Sequence, residues 1–126
     1  MTSGARGYFL GIDAGSSSTK WAVLDDGQNL VSEGRSRPFD GHIYKNESLA
    51  RLNEFLLEIS NEVKGEIIGI YAGITGASVN DLENQDIKNV FQKYFPNTQI
   101  SIDIDVALGY RSSFKADRGI YIYAGT

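Results

Sequence analysis

Residues 11–20 of the chain read Gly11-Ile12-Asp13-Ala14-Gly15-Ser16-Ser17-Ser18-Thr19-Lys20. An apolar run precedes Asp13, and a second apolar run begins at Trp21. Small residues let a backbone approach a phosphate closely, and their amide and hydroxyl groups can donate hydrogen bonds to it. A carboxylate beside such a turn suits a magnesium ion that bridges phosphate oxygens. The stretch therefore predicts two strands joined by a phosphate-binding turn.

The composition limits the kinds of protein that this chain can be. Its 126 residues are enough for one domain, or for one domain and the start of another. A net charge of −4 and a pI near 4.9 provide no positive surface for nucleic acid or an anionic membrane. The chain has no cysteine, which excludes a thiolate-bound cluster within it and is typical of a reducing cytoplasm. The composition therefore predicts a cytoplasmic protein that binds neither nucleic acid nor a membrane.

The first half of the chain predicts three strands and a helix. The strands are expected at Tyr8–Ile12, Lys20–Asp25 and Leu30–Ser36, with Asp26-Gly27 as a tight primed turn between the second and the third. An amphipathic helix follows, because Leu49, Leu52, Leu56, Ile59 and Val63 recur at helical spacing. Asn46 or Ser48 is its expected cap, and Gly65 its expected end.

The second half predicts a strand, a helix and a further strand. The near-continuous apolar run in 66–71 indicates a buried parallel strand, and a loop of small residues follows at 72–78. Asn80 and Glu83 resemble a capping box for a second helix that Pro96 ends. The last predicted elements are a strand at Gln99–Ile104, a short helix at Val106–Ser113 and a strand at Gly119–Tyr123.

Right-handed crossovers would place the fourth and fifth strands parallel to the first. This order predicts an α/β fold of the ribonuclease-H-like type, a mixed five-stranded sheet of three antiparallel meander strands and two parallel strands with flanking helices. Asp13 and Asp105 would then lie at one edge of the sheet, where open α/β sheets bind their ligands.

Each candidate site residue also has a plainer interpretation. The small-residue turn is not a Walker loop, because Lys20 follows Thr19 and not a properly spaced glycine. It is not a dinucleotide fingerprint either, since a strand follows it. Considered alone, Asp105 would be interpreted as a helix cap. Considered together with Asp13 at the same sheet edge, it is a candidate base that accepts a hydroxyl proton. Asp103 is interpreted as a solvated or structural acid, and His42 as a surface residue of a polar loop.

Four motifs carry a resemblance to a known family. Residues 11–20 resemble the first phosphate motif of the sugar kinase, heat-shock protein 70 and actin superfamily (the actin-like ATPases), and residues 119–126 resemble the start of its second. Residues 72–77 and 104–107 resemble the middle motifs of one branch, the BadF/BadG/BcrA/BcrD ATPase family. That branch includes N-acetylglucosamine and glucosamine kinases.

The resemblance implies an ATP-dependent kinase that transfers a phosphoryl group to an amino sugar, with ATP and Mg²⁺ as cofactors. Asp13 would hold magnesium through water, Asp105 would be the base, and Thr75 and Gly76 would border the sugar pocket. The implied phosphate-binding residues are Gly15, Ser16, Ser17, Ser18, Thr19, Lys20, Gly125 and Thr126. Two departures are that Ser16 replaces a usual glycine, and that residues 37–40 lack the sugar-binding asparagine of many relatives.

The resemblance also divides the chain and leaves several functions open. Residues 1–7 are expected to be a disordered terminus, 8–117 the N-terminal lobe, and 118–126 the first strand of a truncated second lobe. Such a fragment should show little kinase activity alone, and the full-length protein could be a homodimer. An activator of a 2-hydroxyacyl-CoA dehydratase is the alternative within the family, although Tyr123 and Ala124 occupy the place of its cysteine. A non-catalytic sugar-binding domain and a ribonuclease-H-like nuclease are two functions of a different class that this fold also allows.

Overall fold

The computed structural model describes residues 7–78, 80, 82 and 84–104. Its elements are β1 (Tyr8–Ala14), β2 (Thr19–Asp25), β3 (Leu30–Ser36), α1 (Asn46–Glu62), β4 (Ile67–Ile74), α2 (Gln85–Tyr94) and β5 (Gln99–Asp103). The predicted helix at 106–113 and strand at 119–123 lie outside the described residues, and so do Asp105, Gly125 and Thr126.

The five strands form one mixed sheet in the order β3-β2-β1-β4-β5. The meander pairs β1 with β2 and β2 with β3 in antiparallel fashion, whereas β4 is parallel to both β1 and β5. The predicted sheet is therefore confirmed. Because β1, β4 and β5 run in one direction, their carboxyl ends meet at one edge, and the loops that follow β1 and β4 lie there.

Both helices pack on the same face of the sheet. Leu10, Ile12 and Ala14 alternate along β1 and are fully or almost fully buried in that core. The helices contribute Leu52, Phe55, Leu56, Ile59, Ile87, Val90 and Phe91. Burying each large apolar side chain stabilises the fold by roughly 1.5–3 kcal/mol relative to exposure. No helix in the described part of the chain is both long enough and apolar enough to cross a bilayer.

The strand residues that alternate with these core residues point to the opposite face of the sheet. Ala22 and Tyr71 are buried there at 0% and 1% exposure, yet they do not belong to the core shared with the helices. Asp13 and Lys20 occupy this face near the carboxyl end of β1. The side chain of Asp13 therefore points away from α1 and α2.

The turn between β2 and β3 differs from the predicted primed turn. The left-handed φ of +68° falls on Gln28, not on Gly27, and the Gln28 N–H donates to the Asp25 carbonyl at 3.0 Å. Asp25 Oδ1 accepts the N–H groups of Gly27 and Asn29, each at 2.9 Å. Hydrogen bonds from the backbone and then the side chain of Asn29 lower the pKa of Asp25. Burial opposes them, and a weaker hydrogen bond from Gly27 adds to the lowering. The aspartate thus organises a wider turn than a two-residue hairpin needs.

Three predicted helix boundaries are wrong. Lys45, not Asn46 or Ser48, precedes α1, and neither helix has a side-chain cap. Val63 is the C-cap that follows the last residue of α1, so the helix ends before Gly65. Gly65 instead packs on Tyr8, whose ring occupies the space that a Cβ at Gly65 would need. Asn84 precedes α2, so Asn80 does not form the expected capping box. Asn80 instead accepts the Leu82 N–H at 2.8 Å, and the Ser48 hydroxyl bonds Asp40, so neither side chain caps a helix.

Candidate functional site

One row of residues crosses all five strands near the carboxyl edge of the sheet. Asp13 pairs in register with Lys20 on one side and with Gly73 on the other. Lys20 pairs in turn with Arg35, and Gly73 with Asp103. Residues that are paired across neighbouring strands point to the same face of the sheet. From β3 to β5, this face therefore carries two cations, a carboxylate, a glycine and a second carboxylate. We call these five residues the charged row.

Asp13 lies inside β1, which continues to Ala14 beyond the predicted end at Ile12. Its half-buried carboxylate makes no hydrogen bond or ion pair with any residue that the structure describes. No three histidine, aspartate or glutamate side chains of the described ranges converge on a common point. A single free carboxylate fits Mg²⁺, which is usually held by one or two carboxylates together with water and phosphate oxygens.

The turn after β1, residues 15–18, is the Ser-rich turn. The Gly15 N–H donates to the Ser18 carbonyl at 3.0 Å, which closes the turn. Ser16 and Ser17 are exposed, whereas Thr19 is fully buried and pairs with Ala14 of β1. The Thr19 hydroxyl has no hydrogen-bond partner in the described part of the structure. Among the predicted phosphate ligands in the described part of the chain, Ser16 and Ser17 are therefore the most exposed to solvent.

The loop after β4, residues 75–78, lies beside the Ser-rich turn. The Thr75 N–H donates to the Ala14 carbonyl at 3.1 Å, which extends the pairing of the two strands into the loops. Thr75 and Gly76 are exposed, and Gly76 has a φ of +89°. The structure thus brings the predicted phosphate-binding and sugar-binding residues of this part of the chain to one edge.

The loop between β3 and α1, residues 37–45, packs tightly against the β4 loop. The Gly41 N–H donates to the Thr75 carbonyl at 2.8 Å. A Cβ at Gly41 would lie 2.9 Å from the Ala77 nitrogen, and a Cβ at Gly76 would lie 2.8 Å from His42 Nε2. His42 is therefore more than the surface residue that was expected, because its half-buried ring rests on Gly76.

Asp40 holds the β3–α1 loop in place. Burial alone would raise the pKa of its carboxyl group, but hydrogen bonds from the His42 N–H and the Ser48 hydroxyl, with the nearby charges of His42 and Lys45, lower the pKa on balance. The His42 N–H lies 2.9 Å from Asp40 Oδ1. The ionised carboxylate thereby joins the loop to the first turn of α1.

A cleft of about 160 Å³ separates the Ser-rich turn from the β3–α1 loop. It is lined by Gly15, Ser16, Pro38, Phe39, Asp40, Arg51 and Thr75. Sequence reasoning missed Asp40 and Arg51 as cleft residues. The Asp40–His42 contact is an Asx-type turn that a local pattern could have suggested, whereas nothing near Arg51 in the sequence indicates that it faces the cleft.

Asn84 joins the β4 loop to the end of β5. It is 1% exposed, and its side-chain amide accepts the Ser78 N–H at 2.9 Å and donates to the Ser78 carbonyl at 2.5 Å. Its second N–H points to the Ile102 carbonyl at 3.5 Å. An amide is required, because the side chain must accept one hydrogen bond and donate two.

We expect Asn84→Asp to lower the free energy of unfolding by about 2–4 kcal/mol, because an acceptor oxygen would then face two carbonyls. Chemical denaturation measures this loss. Asn53→Asp is the matched control, since Asn53 is only partly buried. Its side-chain amide donates a hydrogen bond to the Leu49 carbonyl and accepts one from the Tyr94 hydroxyl. Equal losses in the two variants would contradict the prediction.

Asp103 ends β5 and has a local partner. Its Oδ1 accepts the Ile104 N–H at 2.7 Å, which agrees with its interpretation as a structural acid. Asp105, the predicted base, follows directly after Ile104 and lies outside the described residues. The described part of the site therefore ends one residue before it.

The strand order and the position of both helices define a ribonuclease-H-like α/β fold. A Cytophaga hutchinsonii protein with a provisional sugar-kinase assignment has a similar structure, with a TM-score of 0.54 and 21% identity over 76% of this chain and 35% of that protein. The chain therefore spans about a third of that protein's length. The chain matches no protein-family model and no curated protein.

Two further structures show weaker likenesses. Thermus thermophilus RuvC, solved with a Holliday junction substrate, has a TM-score of 0.47 and 10% identity over 95% of this chain and 80% of that one. Gluconate kinase from Lactobacillus acidophilus has a TM-score of 0.42 and 18% identity over 69% of this chain and 23% of that one.

Proposed function

We propose that this chain is the N-terminal lobe of an ATP-dependent kinase that phosphorylates an amino sugar, N-acetylglucosamine or glucosamine. One observation carries the proposal: the free carboxylate of Asp13, the exposed hydroxyls of the Ser-rich turn and the Thr75–Gly76 loop meet at one edge of the sheet. The resemblance of residues 72–77 and 104–107 to the middle motifs of the BadF/BadG/BcrA/BcrD family supports the amino-sugar assignment. A cytoplasmic location and a homodimer of the complete protein belong to the same proposal.

The phosphate side of the site would use the exposed part of the Ser-rich turn. Ser16 and Ser17 can donate hydroxyl and amide hydrogen bonds to phosphate oxygens, and Lys20 adds a positive charge one strand away. Asp13 would hold Mg²⁺ through water, and that ion would offset the negative charge of the phosphates. Gly125 and Thr126 would contact the phosphates or the sugar from the facing lobe.

The acceptor side would use the cleft beside Thr75. Asp40 and Arg51 place an acceptor and a donor of hydrogen bonds in the cleft, and Pro38 and Phe39 give it an apolar wall. These are the groups that a sugar ring, with its hydroxyls and its apolar face, can contact. The packing of His42 on Gly76 would keep the wall of this cleft rigid.

Asp105 would act as the base of the reaction. In the sequence it comes two positions after Asp103, the last residue of β5, and β5 is the strand next to β4. As the sugar oxygen forms its bond to the γ-phosphorus, the bond from that phosphorus to the bridging oxygen breaks and ADP leaves. The carboxylate accepts the hydroxyl proton, so that charge and atoms balance.

The test is ADP release by the complete protein that carries this chain. We expect release with Mg²⁺, ATP and glucosamine or N-acetylglucosamine, and little release with glucose or without sugar. Asp105→Asn should lower sugar-dependent turnover by roughly 10²–10⁴-fold while the fold remains intact, because it removes the base. Normal turnover in that variant would remove Asp105 from its role, and sugar-independent hydrolysis coupled to electron transfer would favour the dehydratase activator.

A further inference from the structure

We propose that Lys20 and Arg35 form a paired cation site for the phosphate tail of the nucleotide, with Arg35 as a phosphate-binding residue that no motif of the sequence indicates. The proposal rests on the proposed function, since it assigns a ligand to the same edge of the sheet. It extends the phosphate site across the sheet from the Ser-rich turn to the edge strand β3.

The register of the meander places the two cations side by side. Lys20 of β2 lies directly opposite Arg35 of β3, and Asp13 lies directly opposite Lys20 on the other side. The neighbouring residue Ser36 donates a hydrogen bond from its hydroxyl to Glu58 of α1 at 3.1 Å. Because successive side chains of a strand point to opposite faces, Arg35 faces away from α1, on the face of Asp13.

The two cations lack a carboxylate partner in the structure. Like charges directly opposite each other in antiparallel strands are destabilising, with Cβ atoms about 4.5–5.5 Å apart. The arginines that are paired lie elsewhere, Arg37 with Glu54 at 3.4 Å and Arg51 with Glu47 at 3.3 Å. Within the described ranges neither Lys20 nor Arg35 forms an ion pair, although Asp13 is adjacent to Lys20. An anion bound between them would relieve this repulsion.

The spacing of the charged row suits an extended anion that carries a cation at one end. Neighbouring strands lie about 4.8 Å apart, so the Cα atom of Arg35 lies roughly 10 Å from that of Asp13. This is the scale of a chain of two or three phosphates. A metal ion at Asp13 would neutralise one end of such a chain, and Lys20 and Arg35 would neutralise the rest.

Arginine on an edge strand is suited to this role. Arg35 is exposed and β3 has a strand on one side only, so the side chain can reach over Lys20 toward the Ser-rich turn. The planar guanidinium group donates two parallel hydrogen bonds to a phosphate, which an ammonium group cannot do. Arg35 would therefore supply both charge and orientation at the end of the row.

The experiment compares Arg35→Gln with the wild type in the complete protein, by calorimetric titration with Mg·ATP, Mg·ADP, pyrophosphate and adenosine. We expect the Kd of ATP and of ADP to rise roughly tenfold and that of adenosine to stay unchanged, because only the phosphate contact is removed. The Kd of ATP for Arg35→Lys should lie between the values for the wild type and for Arg35→Gln. Arg37→Gln is the matched control, since that arginine is paired with Glu54 and should leave ATP affinity unchanged.

The outcomes separate this inference from the proposed function. Unchanged ATP affinity in Arg35→Gln, in a protein whose wild type binds ATP, would overturn the cation site. An equal loss in Arg37→Gln would overturn it too, because a general effect of surface charge would then explain the change. Loss of pyrophosphate binding in Arg35→Gln, in a protein that transfers no phosphate to sugars, would support the anion site while the kinase proposal fails.

Discussion

Asp13→Asn is expected to lower sugar-dependent ATP turnover of the complete protein by roughly 10²–10³-fold, because metal stabilisation of the phosphates contributes several kcal/mol. The amide keeps the shape of the side chain but loses the negative charge that would hold Mg²⁺ in the proposed site. The carboxylate has no partner within the described part of the structure, so its replacement should leave the free energy of unfolding nearly unchanged. Steady-state kinetics over a range of Mg²⁺ concentrations measures the first effect, and chemical denaturation the second.

Asp103→Asn is the matched control for this experiment. Asp103 belongs to the same charged row, but its Oδ1 already accepts the Ile104 N–H, a bond that an asparagine oxygen can also accept. Turnover in the control should therefore change little. Equal losses in the two variants would show that charge anywhere in the row matters, and full activity of Asp13→Asn would remove the metal role from Asp13.

Gly76→Ala is expected to lower the free energy of unfolding by about 1–3 kcal/mol and to raise the KM for the sugar. The φ of +89° at Gly76 lies in a region that residues with a Cβ adopt only at a cost of that size. The new methyl group would also meet His42 Nε2 at 2.8 Å, so the β4 loop and the β3–α1 loop must separate. Both loops line the proposed acceptor side of the site, and their separation should weaken sugar binding more than ATP binding.

Two variants separate the backbone effect from the clash. Gly27→Ala is the control, because Gly27 lacks a positive φ and its Cβ would first meet the flexible Asn29 side chain at 3.2 Å. The double variant with His42→Ala removes the clash but keeps the backbone strain, so it should recover part of the sugar affinity and little of the stability. A Gly76→Ala protein with normal stability and normal KM would contradict the packing of the two loops.

The five strands and two helices of the described region were predictable from local patterns. Apolar runs identified β1, β2 and β4, the Asp26-Gly27 turn signal placed β3, and alternation of apolar residues identified β5. The spacing of Leu49, Leu52 and Leu56 identified α1. The parallel arrangement of β4 and β5 followed from the handedness of crossovers. Strand ends were less predictable, since β1 reaches Ala14, where the backbones of both β2 and β4 still pair with it.

Caps and turns could not be predicted, because the same polar side chains can bond other backbone or side-chain groups nearby instead of the helix end or the expected turn. Asn80 and Ser48 are good capping residues in isolation, yet Asn80 accepts the Leu82 N–H and Ser48 bonds Asp40. Gln28 takes the left-handed position of a turn that an aspartate at its start organises. Local propensity describes what a segment can do alone, and the packed fold selects among those possibilities.

For this protein, the sequence by itself determined the sheet, the Ser-rich turn and the presence of Asp13 beside it, because these depend on periodicity and on residue types within a few positions. Only the tertiary structure decided that Arg35 stands two strands from Asp13 in the same row, that His42 rests on Gly76, and that Asn84 joins Ser78 to Ile102. These relations depend on strand register and loop packing. Both are set by contacts between residues far apart in the chain, which no local pattern records.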